Sequence, residues 1–180
     1  ALTDVTDRNT TSILTEMQKQ NSVAMLKAKG ADTKTLKTLG YTAQQMLEGG
    51  YTPEELKEAG YTAKELKEGG VNDAGALKGV GYSAKDLKDA GFDIGEIIIN
   101  YGADEAKKAG FNINDFDSGN IDYNTAKSVF DLNSLAGSGT RYAGIAQGEL
   151  DAIAAAEAER QRQAAAAAEA ERQRQAAAQA

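Results

Sequence analysis

The chain lacks cysteine, histidine and tryptophan, and it has a single proline among its 180 residues. Without cysteine or histidine it can form no disulfide bond, no Cys/His zinc site, no thiol nucleophile and no Ser-His-Asp triad. Its 27 acidic and 20 basic residues give a net charge of -7, whereas nucleic-acid backbones are bound mainly by clustered lysine and arginine. We therefore expect no enzymatic activity and no direct nucleic-acid binding, and we assign no catalytic, cofactor-binding or metal-binding residue.

Long hydrophobic runs are also missing. No stretch of about 18 apolar residues is present to span a bilayer, and residues 1–10 lack the basic-then-apolar order of a signal peptide. The sequence begins without methionine and stops inside an Ala/Gln/Arg pattern. We expect it to be a piece of a longer protein, with any membrane segment outside these residues.

What the chain does contain is a ten-residue repeat. Consecutive units starting at Tyr41, Tyr51 and Tyr61 read YTAQQMLEGG, YTPEELKEAG and YTAKELKEGG. About eleven such units cover residues 21–130. One unit, residues 71–81, is a residue longer than the rest, and another, residues 92–100, is a residue shorter. A short fixed period predicts a stack of similar units rather than one irregular core.

Each unit carries the signals of a short capped helix. The predicted N-cap residues are Asp32, Thr42, Thr52, Thr62, Asn72, Ser83, Asp93, Asn112 and Asp122. In the Thr units, a Gln or Glu three residues later completes a capping box. Pro53 stands at the first helical position, where its missing N–H costs nothing. A glycine near the end of most units can adopt the left-handed conformation that ends a helix.

Two apolar rows follow from the same period. A Tyr, Phe or Val precedes each cap and a Leu, Met or Ile lies four residues after it, the spacing of a hydrophobic staple such as Tyr51 with Leu56. A helix of about seven residues is unstable alone, so these helices must pack on one another. The sequence predicts a mainly α fold, a solenoid of short capped helices with a C-terminal Ala-rich helix.

A pentapeptide-type right-handed β-helix is the alternative, because tyrosine and leucine also recur every five residues. That coil needs a small residue two places before each apolar one. Ala59 supplies it before Tyr61, but Glu54 and Lys64 stand there before the neighbouring leucines, and burying an unpaired charge is costly. The pattern therefore favours the helical solenoid.

The composition divides the chain into four segments. Residues 1–20 predict an N-terminal helical cap, and residues 21–130 form the repeat solenoid. Residues 131–146 lose the repeat and are rich in glycine and serine, which predicts a hinge. Residues 147–180 predict a helical connector, because Ala, Glu, Arg and Gln all favour helices.

The connector contains an internal duplication. Residues 154–165 read AAAEAERQRQAA, and residues 166–177 repeat this segment residue for residue. A helix with no large apolar stripe is typical of a spacer through solvent. The alternative is that its alanine faces pack against copies from neighbouring subunits.

Three aspartates, Asp115, Asp117 and Asp122, raise the question of a calcium site. An EF-hand loop ends in a bidentate Glu at its twelfth position, where this chain has Ala126, and its Asn-Gly order is reversed here. We therefore expect these acids to cap helices and to bind no metal. A third possible function, a calcium-dependent extracellular adhesion segment, is supported by this aspartate cluster alone.

The decads, such as GYTAKELKEG at residues 60–69, together with the Ala/Gln/Arg-rich connector, resemble the central region of the DotG/IcmE family. Members of this family are core-complex components of type IVB (Dot/Icm-type) secretion systems and related conjugation machines. The resemblance implies a Gram-negative cell-envelope protein with its repeats in the periplasm. It also implies a ring-like homo-oligomer, in contact with other core proteins, that scaffolds or lines the path of translocated protein substrates.

The expected function is therefore a structural, non-enzymatic segment of an envelope-spanning secretion or conjugation channel. The family contributes no catalytic or cofactor residue. The alternative is a stand-alone solenoid that binds a protein partner along a concave face.

Overall fold

The structure, a computed structural model, describes residues 22–178. Within this range every regular element is an α-helix and there is no strand. The helical solenoid prediction is confirmed, and the β-helix alternative is wrong for these residues. The cap predicted for residues 1–20 lies outside the described residues. The chain forms two compact units, one ending at Phe111 and one starting at Asn112.

The first unit is built of short helices separated by tight turns. Residues 22–28 form α1. The helices that follow are α2 (Thr33–Thr38), α3 (Ala43–Glu48), α4 (Pro53–Glu58), α5 (Ala63–Glu68), α6 (Ala74–Val80), α7 (Ala84–Asp89), α8 (Ile94–Tyr101) and α9 (Ala103–Lys108).

Helices of the first unit stack on their second neighbours along the chain. Helix α2 packs on α4, α4 on α6 and α6 on α8, while α3 packs on α5, α5 on α7 and α7 on α9. Two decads therefore make one turn of the solenoid. We call α2, α4, α6 and α8 the even column, and α3, α5, α7 and α9 the odd column.

Helix starts follow the predicted capping chemistry. In α5 the Thr62 hydroxyl accepts from the Glu65 N–H, and the Glu65 carboxylate accepts from the Thr62 N–H at 2.7 Å. The same reciprocal box forms at the start of α3, α4, α7 and α8. Each box provides acceptors for N–H groups that the first helical turn leaves free.

The two irregular units depart from the prediction. The N-cap of α6 is Asp73 and not Asn72, whose amide instead donates to the Gly70 carbonyl at 3.4 Å. The extra residue of this unit lies before the helix and therefore moves the cap by one position. In the short unit, Tyr101 ends α8 instead of preceding a cap, and Gly102 joins α8 directly to α9 without a side-chain cap.

The helices of the first unit other than α8 end in a Schellman motif. At the end of α4, the Gly60 N–H donates to the Lys57 carbonyl at 2.8 Å, and the Tyr61 N–H donates to the Leu56 carbonyl at 2.9 Å. Gly60 has a φ of 88°, a conformation in which a residue with a Cβ is strained. Tyr61 thus closes one helix and immediately precedes the cap of the next.

We expect Gly60→Ala to lower the free energy of unfolding by about 1–2 kcal/mol, the cost of a left-handed non-glycine residue. No atom lies within 4 Å of the position its Cβ would take, so the loss comes from the backbone alone. The matched control is Gly79→Ala within α6, which also meets open space and should raise stability by about 0.5–1 kcal/mol. Urea unfolding measures both changes, and a Gly60→Ala variant as stable as the wild type would contradict the left-handed cap.

The interior of the first unit is a row of apolar side chains, one at the fourth position of each helix. These side chains are at most 3% exposed: Leu36, Met46, Leu56, Leu66, Leu77, Leu87, Ile97 and Ala106. A second row supplies Tyr51, Tyr61, Tyr82 and Phe92, which are also buried. Among residues 22–178, no charged or other polar side chain is buried apart from these tyrosines and Tyr142. The two predicted apolar rows therefore form most of the core. A third set of buried side chains, at the first position of the helices, was not predicted: Ala43, Ala63, Ala74, Ala84 and Ile94.

The second unit continues the same local pattern. Its helices are α10 (Ile113–Ser118), α11 (Tyr123–Val129), α12 (Leu132–Ala136) and α13 (Ala143–Ala178). The side chains buried in this unit are Phe116, Ala126, Leu135, Tyr142 and Ala146. Its interior thus combines two aromatic rings and a leucine with two alanines.

Residues 131–146, for which we predicted a hinge, contain helix α12 and the start of α13. Asp131 caps α12 by accepting from the Ser134 N–H at 2.8 Å, and Leu135 is fully buried. The Tyr142 hydroxyl donates to the Ile121 carbonyl at 2.6 Å. Repeat-like contacts therefore continue through this Gly/Ser-rich stretch.

Helix α13 is 36 residues long and runs through both copies of the duplicated segment. All side chains of residues 151–178 are exposed. Contacts along the helix include an ion pair of Arg162 with Glu159 at 3.8 Å and a hydrogen bond from Gln175 to Glu171 at 3.2 Å. Within residues 22–178, no helix combines the length and the apolar character that crossing a bilayer requires.

Candidate interaction surfaces

A row of lysines ties helices of the first unit to later turns of the solenoid. Lys37, in the last turn of α2, donates to the Gly60 carbonyl at 2.5 Å and pairs with Glu65 at 3.1 Å. Its Nζ also lies 4.3 Å from the centre of the Tyr61 ring. The carbonyls at a helix end carry the negative end of its dipole, and an aromatic face attracts cations, so both contacts hold the lysine ammonium in place. Other lysines placed over an aromatic ring of a later unit are Lys27, Lys57, Lys67, Lys78 and Lys88.

Tyrosine hydroxyls tie each turn of the solenoid to the turn before it. The hydroxyl of Tyr61 donates to the Tyr41 carbonyl at 2.6 Å, and that of Tyr82 donates to the Tyr61 carbonyl at 2.5 Å. Burial raises the pKa of Tyr61 and Tyr82 from 10.0 to about 12. These side chains were predicted to be buried, but their hydrogen bonds were not predicted, because Phe92 takes the same place in its unit without a hydroxyl.

The capping glutamates are held in their charged form. A hydrogen bond from Lys27, at 2.8 Å, and the Thr52 N–H lower the pKa of Glu55 below its ordinary value of 4.5. In Glu65, burial alone would raise the pKa, but hydrogen bonds from Thr62 and Lys37 outweigh it and lower the pKa. These carboxylates therefore stabilise the fold only while they are ionised.

We expect stability to be flat from about pH 8 to pH 5.5, because the chain has no histidine or cysteine to titrate there. A carboxyl with a lowered folded-state pKa contributes stability above its unfolded pKa and loses it as the pH falls through the folded pKa. The free energy of unfolding should therefore decrease once the pH is lower than about 4.5. Urea unfolding across the pH range measures this decrease. Glu55→Gln, which keeps the acceptor that Gln45 supplies in α3, should reduce this acid loss; an unchanged acid loss would contradict the role of Glu55.

The aspartates considered for calcium have protein partners in the second unit. Asp115 accepts from the Asn112 N–H at 2.7 Å, and Asp117 pairs with Arg141 at 3.1 Å. Asp122 caps α11, and hydrogen bonds from the Thr125 hydroxyl and N–H lower its pKa. The described residues contain no group of three or more acids positioned to hold a metal ion.

The outward positions of the odd column carry charged and polar pairs. These outward positions are the second and sixth residues of each helix. In α5 they hold Lys64 and Glu68, which lie 4.0 Å apart, and in α7 they hold Lys85 and Asp89, which lie 2.8 Å apart. Helix α3 has a hydrogen bond from Gln44 to Glu48 at 2.9 Å. Such pairs each stabilise an exposed helix by a few tenths of a kcal/mol and keep this side solvated.

The even column differs at the same positions. Helix α4 carries two acids there, Glu54 and Glu58, both exposed. The next two helices carry no charge at these positions, which are occupied by Gly75, Gly79, Gly95 and Ile99. Ile99 is 84% exposed, the most exposed large apolar side chain among the described residues. We call Gly75, Gly79, Gly95 and Ile99 the uncharged face.

This face was not predicted from the sequence. The signal was available, since the units around Gly79 and Ile99 lack the Lys and Glu that the other decads carry at these places. Because helices alternate between two columns, every second helix along the chain lies in the same column. The ten-residue alignment alone does not show which units share a side.

Comparison with known proteins addresses the repeat itself. Residues 21–94 match the family model of a decapeptide repeat region. No curated protein and no solved structure matches the chain. Taken with the stacked helices of the first unit, the match shows that this is a repeat protein with helical decapeptide repeats.

Proposed function

We propose that this chain is a structural, non-enzymatic segment of an oligomeric secretion or conjugation channel that spans the cell envelope. The observation that carries the proposal is the pairing of an apolar repeat core with the exposed helix α13. In the first unit, polar groups are used for caps and cross-links between turns. This is the construction of a scaffold, because each turn is held by its neighbours and leaves an exposed surface for partners.

The length of helix α13 also supports a scaffolding role. At 1.5 Å per residue, its 36 residues extend about 54 Å. Its polar and alanine side chains need no covering layer, and pairs such as Arg162 with Glu159 stabilise it along its length. A long helix of this kind holds the parts before and after it at a fixed separation.

The resemblance of the decads to the DotG/IcmE family supports the more specific part of the proposal. In that setting the repeats lie in the periplasm, the chain is one of many copies around an axis, and other core proteins of the secretion system are its partners. The channel would pass protein substrates, and membrane attachment would come from segments outside these residues. A net charge of -7 is compatible with this role and opposes direct binding to nucleic acid.

Fractionation of the source cells tests this proposal. An antibody against the repeats should detect the protein in the envelope fraction, in a large complex that survives mild detergent. Crosslinking before lysis should join repeats from several copies. A soluble monomer in the cytoplasmic fraction would contradict the channel and would favour the stand-alone interaction solenoid.

A further inference from the structure

We propose that a cleft over Tyr41, near the start of the described solenoid, binds the ammonium group of a lysine side chain from another polypeptide. The cleft has a volume of about 390 Å³ and is lined by Leu39, Gly40, Tyr41 and Gln45. Such a site goes beyond the scaffold role proposed above, because it names the chemical group by which a partner attaches to the repeats.

In the next two units, the equivalent groups hold a lysine of this chain. The Nζ of Lys27 lies 4.6 Å from the centre of the Tyr51 ring and 2.8 Å from the Glu55 carboxylate. It also donates to the Gly50 carbonyl at the end of α3. The contacts of Lys37 described above are the same, one unit later. An aromatic face, a helix-end carbonyl and a side-chain oxygen thus form an ammonium site that the repeat builds more than once.

The cleft over Tyr41 offers the same groups. Tyr41 supplies the ring, the Gly40 carbonyl lies at the end of α2, and Gln45 stands where the next two units have a glutamate. The Gln45 Oε1 accepts from the Thr42 N–H at 3.0 Å. An amide oxygen has a second lone pair, so it can also accept from an ammonium group. Leu39, which is 70% exposed, offers an apolar surface for the methylene stem of the lysine.

Lysine and ring occur as a matched pair along the first unit. Where Val71 replaces the ring, the residue 24 positions earlier is Leu47 and not a lysine. The residue 24 positions before Tyr41 is Met17, which has no ammonium group. Lys37 lines a neighbouring cleft, but its ammonium is held in the site described above. The repeat therefore supplies the acceptors of this site, and the lysine comes from another polypeptide.

Titration of the ¹⁵N-labelled 180-residue chain with n-butylammonium chloride, followed by amide chemical shifts, tests the site. The signals of Gly40 and Tyr41 should move and saturate, whereas 1-butanol, a neutral probe of the same length, should leave them in place. The signals of Gly70 and Val71, in a unit without a ring, should not move with either probe. Unmoved Gly40 and Tyr41 signals, or equal movements with butanol, would overturn the site.

Two variants test the recognition. Tyr41→Val, which copies the unit without a ring, should weaken butylammonium binding at least fivefold. Gln45→Glu, which copies the units of α4 and α5, should strengthen it at least threefold, because a carboxylate holds an ammonium group more strongly than an amide does. Far-UV circular dichroism should be the same for both variants and the wild type. Binding that neither variant changes would overturn the assignment of these groups.

A third variant tests the source of the lysine. Lys19 is the only lysine in residues 1–21. If another polypeptide supplies the ammonium group, Lys19→Met should bind butylammonium with the affinity of the wild type. Binding that becomes at least threefold tighter in Lys19→Met would show that the chain's own lysine competes for the cleft, and it would overturn the attachment of a partner.

Discussion

Replacing Phe116 with alanine should lower the free energy of unfolding of the second unit by about 3–5 kcal/mol. Phe116 is fully buried, and its ring meets the ring of Phe130 edge to face, with the centroids 5.1 Å apart. The equivalent positions of the other helices in this unit hold Ala126, Leu135 and Ala146. Because two alanines and one leucine cannot fill the space that a phenyl ring leaves, the cavity should remain open and the loss should be large.

Guanidinium unfolding followed by circular dichroism measures the effect, and amide exchange of residues 112–146 assigns it to the second unit. Ile153→Ala in α13 is the control. Ile153 is 46% exposed, and alanine favours a helix more than isoleucine does, so stability should not fall. A loss below about 1 kcal/mol for Phe116→Ala would mean that this ring is not the centre of the core.

Replacing Leu66 with alanine should lower the free energy of unfolding of the first unit by about 2–5 kcal/mol. Leu66 is fully buried in α5, and α5 packs on both α3 and α7. In a solenoid, stability is the sum of each unit and its contacts with its neighbours, so one cavity weakens both sides of α5. Truncation at this position therefore affects more than one helix.

The matched control is Ile99→Ala in the same unit. It removes a branched aliphatic side chain that is 84% exposed, and the loss of buried apolar area should be near zero. Thermal and urea unfolding of both variants give the comparison. Equal losses for Leu66→Ala and Ile99→Ala would contradict the assignment of the buried row.

The caps and the buried row were predictable because their signals lie within ten residues of each other. Thr62, Glu65 and Gly60 each act on a backbone group nearby in sequence, so residue type and spacing are sufficient. Asn72 was assigned as a cap by the same spacing, and the assignment was wrong because the extra residue of that unit precedes the helix.

Contacts between turns could not be predicted in the same way. Lys37 reaches the Gly60 carbonyl 23 residues later, and Tyr61 reaches the Tyr41 carbonyl 20 residues earlier. These bonds depend on the alternation of helices between two columns, which the ten-residue period does not reveal. The uncharged face was missed for the same reason, since the helices that carry Gly79 and Ile99 come together only when α6 stacks on α8.

The continuity of α13 through the duplicated segment sets a geometric rule. Twelve residues of an α-helix advance about 18 Å and rotate by three full turns plus about 120°. Equivalent side chains of the two copies, residues 154–165 and 166–177, therefore point in directions about a third of a turn apart around the helix axis. One helix can thus present the same sequence in two different directions, and it cannot present both copies to one flat surface.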